Sequence, residues 1–189
     1  MSLKLKIIIG STRAGRQGPA VAAWIYNLAK ERTEFDTELV DLAEVNLPFL
    51  DEPNHPRLRK YTKQHTKDWS AKIDEADAFI MVTPEYNFSY PAPLKNAIDY
   101  LHQEWLYKPA AIVSYGGIAA GTRSAQALKL VLSALKMVPL TESVNIPFFA
   151  KYIDENGKFN ANDSMIKSAG IMFNELAKWV ENLKLLRKK

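Results

Sequence analysis

The chain has 189 residues, no cysteine, and 25 Lys and Arg against 21 Asp and Glu, a formal charge of +4. That length suits one domain, expected here to span 1–189, and an apolar fraction of 47% with eight Tyr, eight Phe and four Trp excludes a disordered chain. The missing cysteines exclude disulfides, thiolate metal sites, iron–sulfur clusters and a cysteine nucleophile.

The position of the charge matters more than its sum. Lys184, Arg187, Lys188 and Lys189 form an acid-free tail, and the rest of the chain is neutral. Such a tail is expected to complement a helix C-terminus and stay solvated. No basic stripe with interleaved aromatics appears, which argues against nucleic acid, and no run approaches the ~18 apolar residues of a membrane helix. The chain reads as soluble and cytoplasmic. One asymmetry remains: residues 1–30 carry five cations and no acid, whereas residues 31–53 carry eight acids and one Arg.

Leu3 to Ile9 begins alternating and ends as an apolar run, the pattern of a buried parallel strand. Gly10 to Gly18 breaks it, and Pro19 opens a helix with Val21, Trp24, Ile25 and Leu28 at helical spacing. Glu38 to Leu42 is a weaker strand, followed by a stretch with Pro48, Pro53 and Pro56. Tyr61, Trp69, Ile73 and Ala76 predict a second long helix. Ala78 to Thr83 is a buried strand ending at Pro84, and Pro93 opens a helix through Leu94, Ala97, Ile98 and Leu101, read as continuing to Trp105. Ala110 to Tyr115 is a further buried strand; Thr122 or Ser124 is expected to cap the helix carrying Leu128, Val131, Leu132 and Leu135. Thr141 to Ile146 makes a fifth strand. Asp154 to Gly157 is a turn, and Asp163 is expected to cap a last helix through Ile166, Phe173, Leu176, Val180 and Leu183.

Five strand–helix alternations predict an α/β fold, a five-stranded parallel sheet covered by helices on both faces. Ligands of such sheets bind beyond the carboxyl ends of the strands, where strand order reverses. The loops after the first, third and fourth strands are therefore the candidate site.

The first loop, Gly10 to Gly18, offers Ser11, Thr12, Arg13 and Arg16, three glycines, and a helix N-terminus immediately after. Those are the parts that hold a dianionic phosphate. With no acid in the first thirty residues, both arginines are expected unpaired. The kinase pattern G-x-x-x-x-G-K-[ST] fails because Arg16 and Gln17 replace its Lys and hydroxyl, and the spacing of Gly10 and Gly15 breaks G-x-G-x-x-G. Asp41 reads as an ordinary strand-end residue. The second loop, Pro84-Glu85-Tyr86-Asn87-Phe88-Ser89-Tyr90-Pro91-Ala92-Pro93, is stiffened by prolines and presents a polar and aromatic ledge for a flat heteroaromatic ring. The third, Ser114-Tyr115-Gly116-Gly117, lets backbone lie close against a ligand. His55, His65 and His102 are too scattered for a triad or a metal site.

A phosphate cradle, a ring ledge and a glycine wall together suit FMN. On Gly10-Ser11-Thr12-Arg13-Ala14-Gly15-Arg16, Thr83-Pro84-Glu85-Tyr86-Asn87, Pro93-Leu94-Lys95-Asn96-Ala97-Ile98-Asp99 and Ser114-Tyr115-Gly116-Gly117, the chain closely resembles the NADPH-dependent FMN reductase family over about residues 3–147. The resemblance implies a flavodoxin-like doubly wound sheet, FMN as cofactor, and NADPH or NADH as hydride donor. It implies that Ser11, Arg13, Arg16 and the amides around Gly18 hold the phosphate. Pro84, Glu85, Tyr86 and Asn87 would bind one edge of the ring, and Ser114, Tyr115, Gly116 and Gly117 would close the other side. Glu85 is read as shaping its loop rather than acting as an acid; no side chain need be a catalytic acid or base, and no metal is implied. The implied reaction is ping-pong transfer to quinone-like or other small acceptors by a homodimer or dimer of dimers, with the Leu94–Trp105 helix as contact surface. Alternatives are a reductase releasing reduced FMN to a partner monooxygenase, and a flavodoxin-like electron carrier or redox-dependent binding protein. For NADPH, Arg123 or the stretch Arg57 to Lys67 would meet the extra phosphate.

Overall fold

A computed structural model describes residues 2–187. Its elements run β1 (Leu3–Ile9), α1 (Gly18–Lys30), β2 (Phe35–Asp41), α2 (Leu42–Val45), α3 (Gln64–Asp74), β3 (Ala78–Pro84), α4 (Ala92–Asp99), β4 (Pro109–Tyr115), α5 (Thr122–Ala134), β5 (Val138–Ile146) and α6 (Asp163–Arg187). Short 3₁₀ turns at Pro56–Leu58, Gln103–Trp105 and Phe149–Tyr152 sit between them. The sheet has five parallel strands in the order β2-β1-β3-β4-β5. This is the doubly wound, flavodoxin-like order, and it reverses between β1 and β3.

The side-chain period of two divides the core. Ile7, Ile9, Ile80, Val82 and Val113 face α1 and α6, whereas Ile8, Phe79, Met81 and Ile112 face α3, α4 and α5. β3 and β4 are buried along their whole lengths, as strands covered on both faces must be. β2 and β5 are the edge strands and are only partly buried. Lys6, buried in β1, is tolerated because Glu38 and Glu75 both accept from its ammonium.

Several boundaries differ from the sequence reading. β2 starts at Phe35 and β5 at Val138, each earlier than hydropathy alone indicates. Tyr61 lies outside α3; its hydroxyl donates to the wholly buried carboxylate of Glu104 at 2.9 Å. The expected Leu94–Trp105 helix stops at Asp99, because Tyr100 turns inward to bond the 48–51 segment and Trp105 enters the core from a separate turn. Neither Thr122 nor Ser124 caps α5. Gly121 takes that position at φ 74°, while the Thr122 hydroxyl donates to Ala119 O and Ser124 is buried against Thr83. Asn162, not Asp163, caps α6 by accepting from Met165 N–H at 2.9 Å, and Ile166 is 45% exposed. The tail is not simply solvated: Arg187 and Lys184 reach Asp77 at 3.3 and 3.8 Å. Lys188 and Lys189 lie outside the described residues.

Candidate active site

The carboxyl ends of β1, β3 and β4 converge on one cleft of about 210 Å³. Arg13 and Arg16 from the first loop, Pro84, Glu85 and Tyr86 from the second, and Tyr115, Gly116 and Gly117 from the third all line it. Gln17, also in the first loop, and Phe149 line it too, neither of them among the expected cofactor-binding residues. Phe149 follows β5, outside the three loops expected to form the site; its ring meets Tyr115 edge-on at 4.9 Å, and its N–H donates to Gly116 O. The aromatic pair Phe148-Phe149 directly after a strand is the signal that could have found it.

The first loop turns through Arg13 to Arg16, closed by Arg16 N–H donating to Arg13 O at 3.1 Å, with Gly15 at φ 68°. α1 then starts without a side-chain cap, without an acid in its first turn and with a proline at its start. Its N-terminal N–H groups and dipole face the loop, an arrangement that suits an anion.

The two arginines differ, contrary to the expectation that both are unpaired. Arg16 forks onto Asp41, its two Nη groups donating to Oδ1 and Oδ2 at 2.6 Å each, and Nη1 also donates to Ser11 O. The acid comes from the end of β2, the strand beside β1, through parallel register that places Ile9 against Asp41. Asp41 further accepts from Ala43 N–H at 3.0 Å and so caps α2. Burial alone would raise this carboxyl, but the bonds from Arg16 and Ala43 outweigh it and hold it below the usual range. Arg13 is exposed and, among the described residues, makes no ion pair.

Ser11 and Gly18 stand behind the cleft rather than in it. Ser11 Oγ is 3.3 Å from the Tyr115 hydroxyl, and both side chains are buried. A Cβ on Gly18 would lie 2.4 Å from that hydroxyl and 2.8 Å from Ser11 Oγ, so the glycine answers to Tyr115. Burial pushes the Tyr115 phenol up to about 12, with the Ser11 bond and nearby arginines acting against it, so it is neutral at physiological pH. Ser114 also turns inward, its Oγ 2.8 Å from Ala120 O and Asn145 Oδ1. Asn87 is exposed at the tip of its turn.

Glu85 pairs with Arg123, Oε1 to Nε at 2.5 Å, and its N–H donates to Tyr115 O. It therefore ties the second loop to α5 and β4. Arg123 is thereby neutralised, and Arg59 is paired with Asp74 and Glu104, so two of the cations expected to meet a second phosphate already have partners. His102 accepts from Arg57 Nε at 3.1 Å; burial and that neighbouring charge lower its pKa. A larger cavity, about 510 Å³, opens at the opposite end of the sheet, by the amino ends of β3 and β4, among Asp77, Lys108, Lys184 and Arg187. It lies away from the strand carboxyl ends. There burial pushes the Lys108 ammonium down to about 8, and the amine donates to the carbonyls of Ile73 and Asp74.

A family model for NADPH-dependent FMN reductases matches residues 3–151. The chain belongs to this family. Membership makes it an oxidoreductase that acts with FMN and NAD(P)H. It is 45% identical over 148 residues to an NAD(P)H-dependent FMN reductase of Schizosaccharomyces pombe, covering 76% of this chain and 74% of that one. It is 27% identical over 183 residues to an FMN-dependent NADPH-azoreductase of Staphylococcus saprophyticus, covering 95% and 96%. Among solved structures it resembles the flavoenzyme NAD(P)H:(acceptor) oxidoreductase FerB of Paracoccus denitrificans, with a TM-score of 0.76 at 22% identity over 95% and 98% of the two chains. An archaeal flavodoxin shares the fold at a TM-score of 0.62, with 13% identity over 95% and 99%.

The residues of the cleft fit FMN. Arg13 and the uncapped start of α1 supply the donors a phosphate dianion needs, and backbone at Pro84–Tyr86 and at Gly116–Gly117 lines the same cleft, where a flat ring can lie against it. A Cβ on Gly117 would meet nothing within 4 Å, so no neighbouring protein group demands glycine there.

Proposed function

We propose that the chain holds FMN as a resident cofactor and passes reducing equivalents from NAD(P)H to quinone-like or other small acceptors, donor and acceptor using the cleft in turn. The carrying observation is the convergence of Arg13, the start of α1 and the two backbone stretches on one cleft at the switch point of the sheet. Bound FMN supplies the two-electron chemistry, and the protein supplies position and field.

Arg13 attracts and holds the phosphate, while the Arg16–Asp41 pair braces the loop that carries it. Pro84 has no N–H, and Glu85 N–H is already donated to Tyr115 O, so the second loop meets the ring through a fixed backbone edge. The Tyr115 phenol, held neutral by burial and anchored on Ser11, keeps the floor of the cleft uncharged. None of these groups needs to exchange a proton with solvent.

A second copy of the chain is proposed to cover the outer side of α4. Phe49 and Leu50 are 85% and 42% exposed there, and Leu50 N–H is fixed by Asn96 of α4. Purified protein that is yellow with one FMN per chain, and initial-velocity lines that stay parallel as the acceptor is varied, support the resident-cofactor reading. A colourless chain that consumes added FMN with intersecting lines makes flavin a diffusing substrate instead.

A further inference from the structure

The turn from Tyr86 to Ser89 is closed by two reciprocal bonds, Tyr86 N–H to Ser89 O at 2.8 Å and Ser89 N–H to Tyr86 O at 2.9 Å. Its two central residues, Asn87 and Phe88, both have positive φ, 47° and 70°. Such a two-residue turn favours Asn then Gly, and a bulky aromatic in the second position is strained. Phe88 gains no burial in return, being 68% exposed. Its ring instead covers the Arg123 guanidinium, 3.9 Å from centroid to Cζ, and Arg123 is fixed by Glu85 at 2.5 Å. Glu85 lines the cleft and Phe88 does not. A planar ring is thus held against backbone strain on the rim of the cofactor cleft, just outside it. Strain that persists at a site rim points to a use for the side chain.

Resting on the function proposed above, we propose that Phe88, held by the Glu85–Arg123 pair, is a specificity-determining platform on which the adenine ring of the nicotinamide dinucleotide stacks. An acceptor must meet the cofactor inside the cleft, so a ligand that also reaches the rim is elongated and carries a second planar ring. NAD(P)H is the substrate of that shape. The surface suits a base better than a phosphate: Arg123 has its charge matched by Glu85 and its flat face covered by Phe88. Base–aromatic stacking needs no hydrogen-bond pattern, only an exposed and immobilised ring.

Phe88→Gly isolates the ring from the backbone, because it leaves Asn-Gly, the preferred pair for this turn. The holoprotein is assayed with NADPH, with reduced nicotinamide mononucleotide, which lacks adenine, and with a small quinone. NADP⁺ affinity is read from the perturbed flavin absorbance, and FMN affinity is measured separately. The expected result is a rise of about tenfold in KM for NADPH and in Kd for NADP⁺, the lower end for one base stacked on an aromatic. KM for the mononucleotide and the quinone, and Kd for FMN, stay unchanged, and Phe88→Trp restores NADPH binding. Unchanged NADPH and NADP⁺ constants overturn the proposal. So does an equal rise for the mononucleotide, which would place the ring over the cleft, or a change of sedimentation, which would place it in a subunit contact. If the wild-type chain neither retains FMN nor oxidises NADPH, the underlying function fails; if it does both and Phe88→Gly is silent, this inference alone fails.

Discussion

Replacing Asp41 by Asn removes a charge and almost no volume. Asp41 accepts two bonds of 2.6 Å from Arg16 and one of 3.0 Å from Ala43 N–H, with the acid and arginine side chains 13% and 19% exposed. An amide keeps one acceptor oxygen, so one arm of the fork is lost and a partly buried guanidinium loses its counter-charge. Bonds to charged groups are worth about 1.5–3 kcal/mol, and partial exposure places the expected loss near ~2 kcal/mol. For a domain of this size that lowers Tm by roughly 4–8 °C. Thermal unfolding of Asp41→Asn, Arg16→Met and the double variant closes a cycle with an expected coupling of about 1.5–2 kcal/mol. The pH dependence follows in sign. Burial pushes Asp41 up, the bonds from Arg16 and Ala43 push it further down, and the folded carboxyl ends below its ordinary value. A depressed folded pKa stabilises above the unfolded value, about 3.9, and that stabilisation drains away as pH falls through the folded value. The gap between wild type and Asp41→Asn therefore stays level from about pH 7 to about pH 5 and closes only below about pH 4. A coupling within about 0.5 kcal/mol of zero, or a gap that closes already near neutral pH, refutes the brace.

Arg13→Ala is expected to weaken FMN by about 1.5–3 kcal/mol while leaving riboflavin, which lacks the phosphate, unaffected; paired fluorescence titrations check it. Gly18→Ala forces a methyl to 2.4 Å from the Tyr115 hydroxyl and is expected to cost about 1–3 kcal/mol in denaturant unfolding. Adding Tyr115→Phe removes that oxygen and recovers part of the loss, whereas a Gly18→Ala chain of wild-type stability would contradict the packing. Glu104→Gln leaves Arg59 without a carboxylate it meets at 3.2 Å and exchanges an acceptor that Ser70 and Tyr61 share. A loss of about 1.5–3 kcal/mol by the same assay is expected.

Periodicity made the strands legible because β1, β3 and β4 are buried on both sides, so their apolar runs carry no competing signal. Edge strand β2 is only partly buried, and its first residues, Phe35 to Thr37, mix types that hydropathy does not separate from loop. Loops beyond β1, β3 and β4 were legible as a site because each carries glycine or proline where a strand should end. The Arg16–Asp41 pair was not, since its members are 25 residues apart and meet only through the parallel register of β1 and β2. The same holds for Ser11 with Tyr115, whose 104-residue separation hides that Ser11 answers to a neighbour in the core. Charge counted along the sequence found Arg13 and Arg16 alike. Charge placed in space leaves both lining the cleft but separates them: Arg16 is paired with Asp41, and Arg13 has no ion pair among the described residues.

The most direct test of a flavin site at the switch point is to purify the chain, count its FMN, and mix it anaerobically with NADPH while following the flavin absorbance. One FMN per chain, bleached in a single fast phase that is lost when Arg13→Ala empties the site, is the predicted result. A chain that binds no FMN, or one whose bound FMN stays oxidised in excess NADPH and NADH, would contradict it.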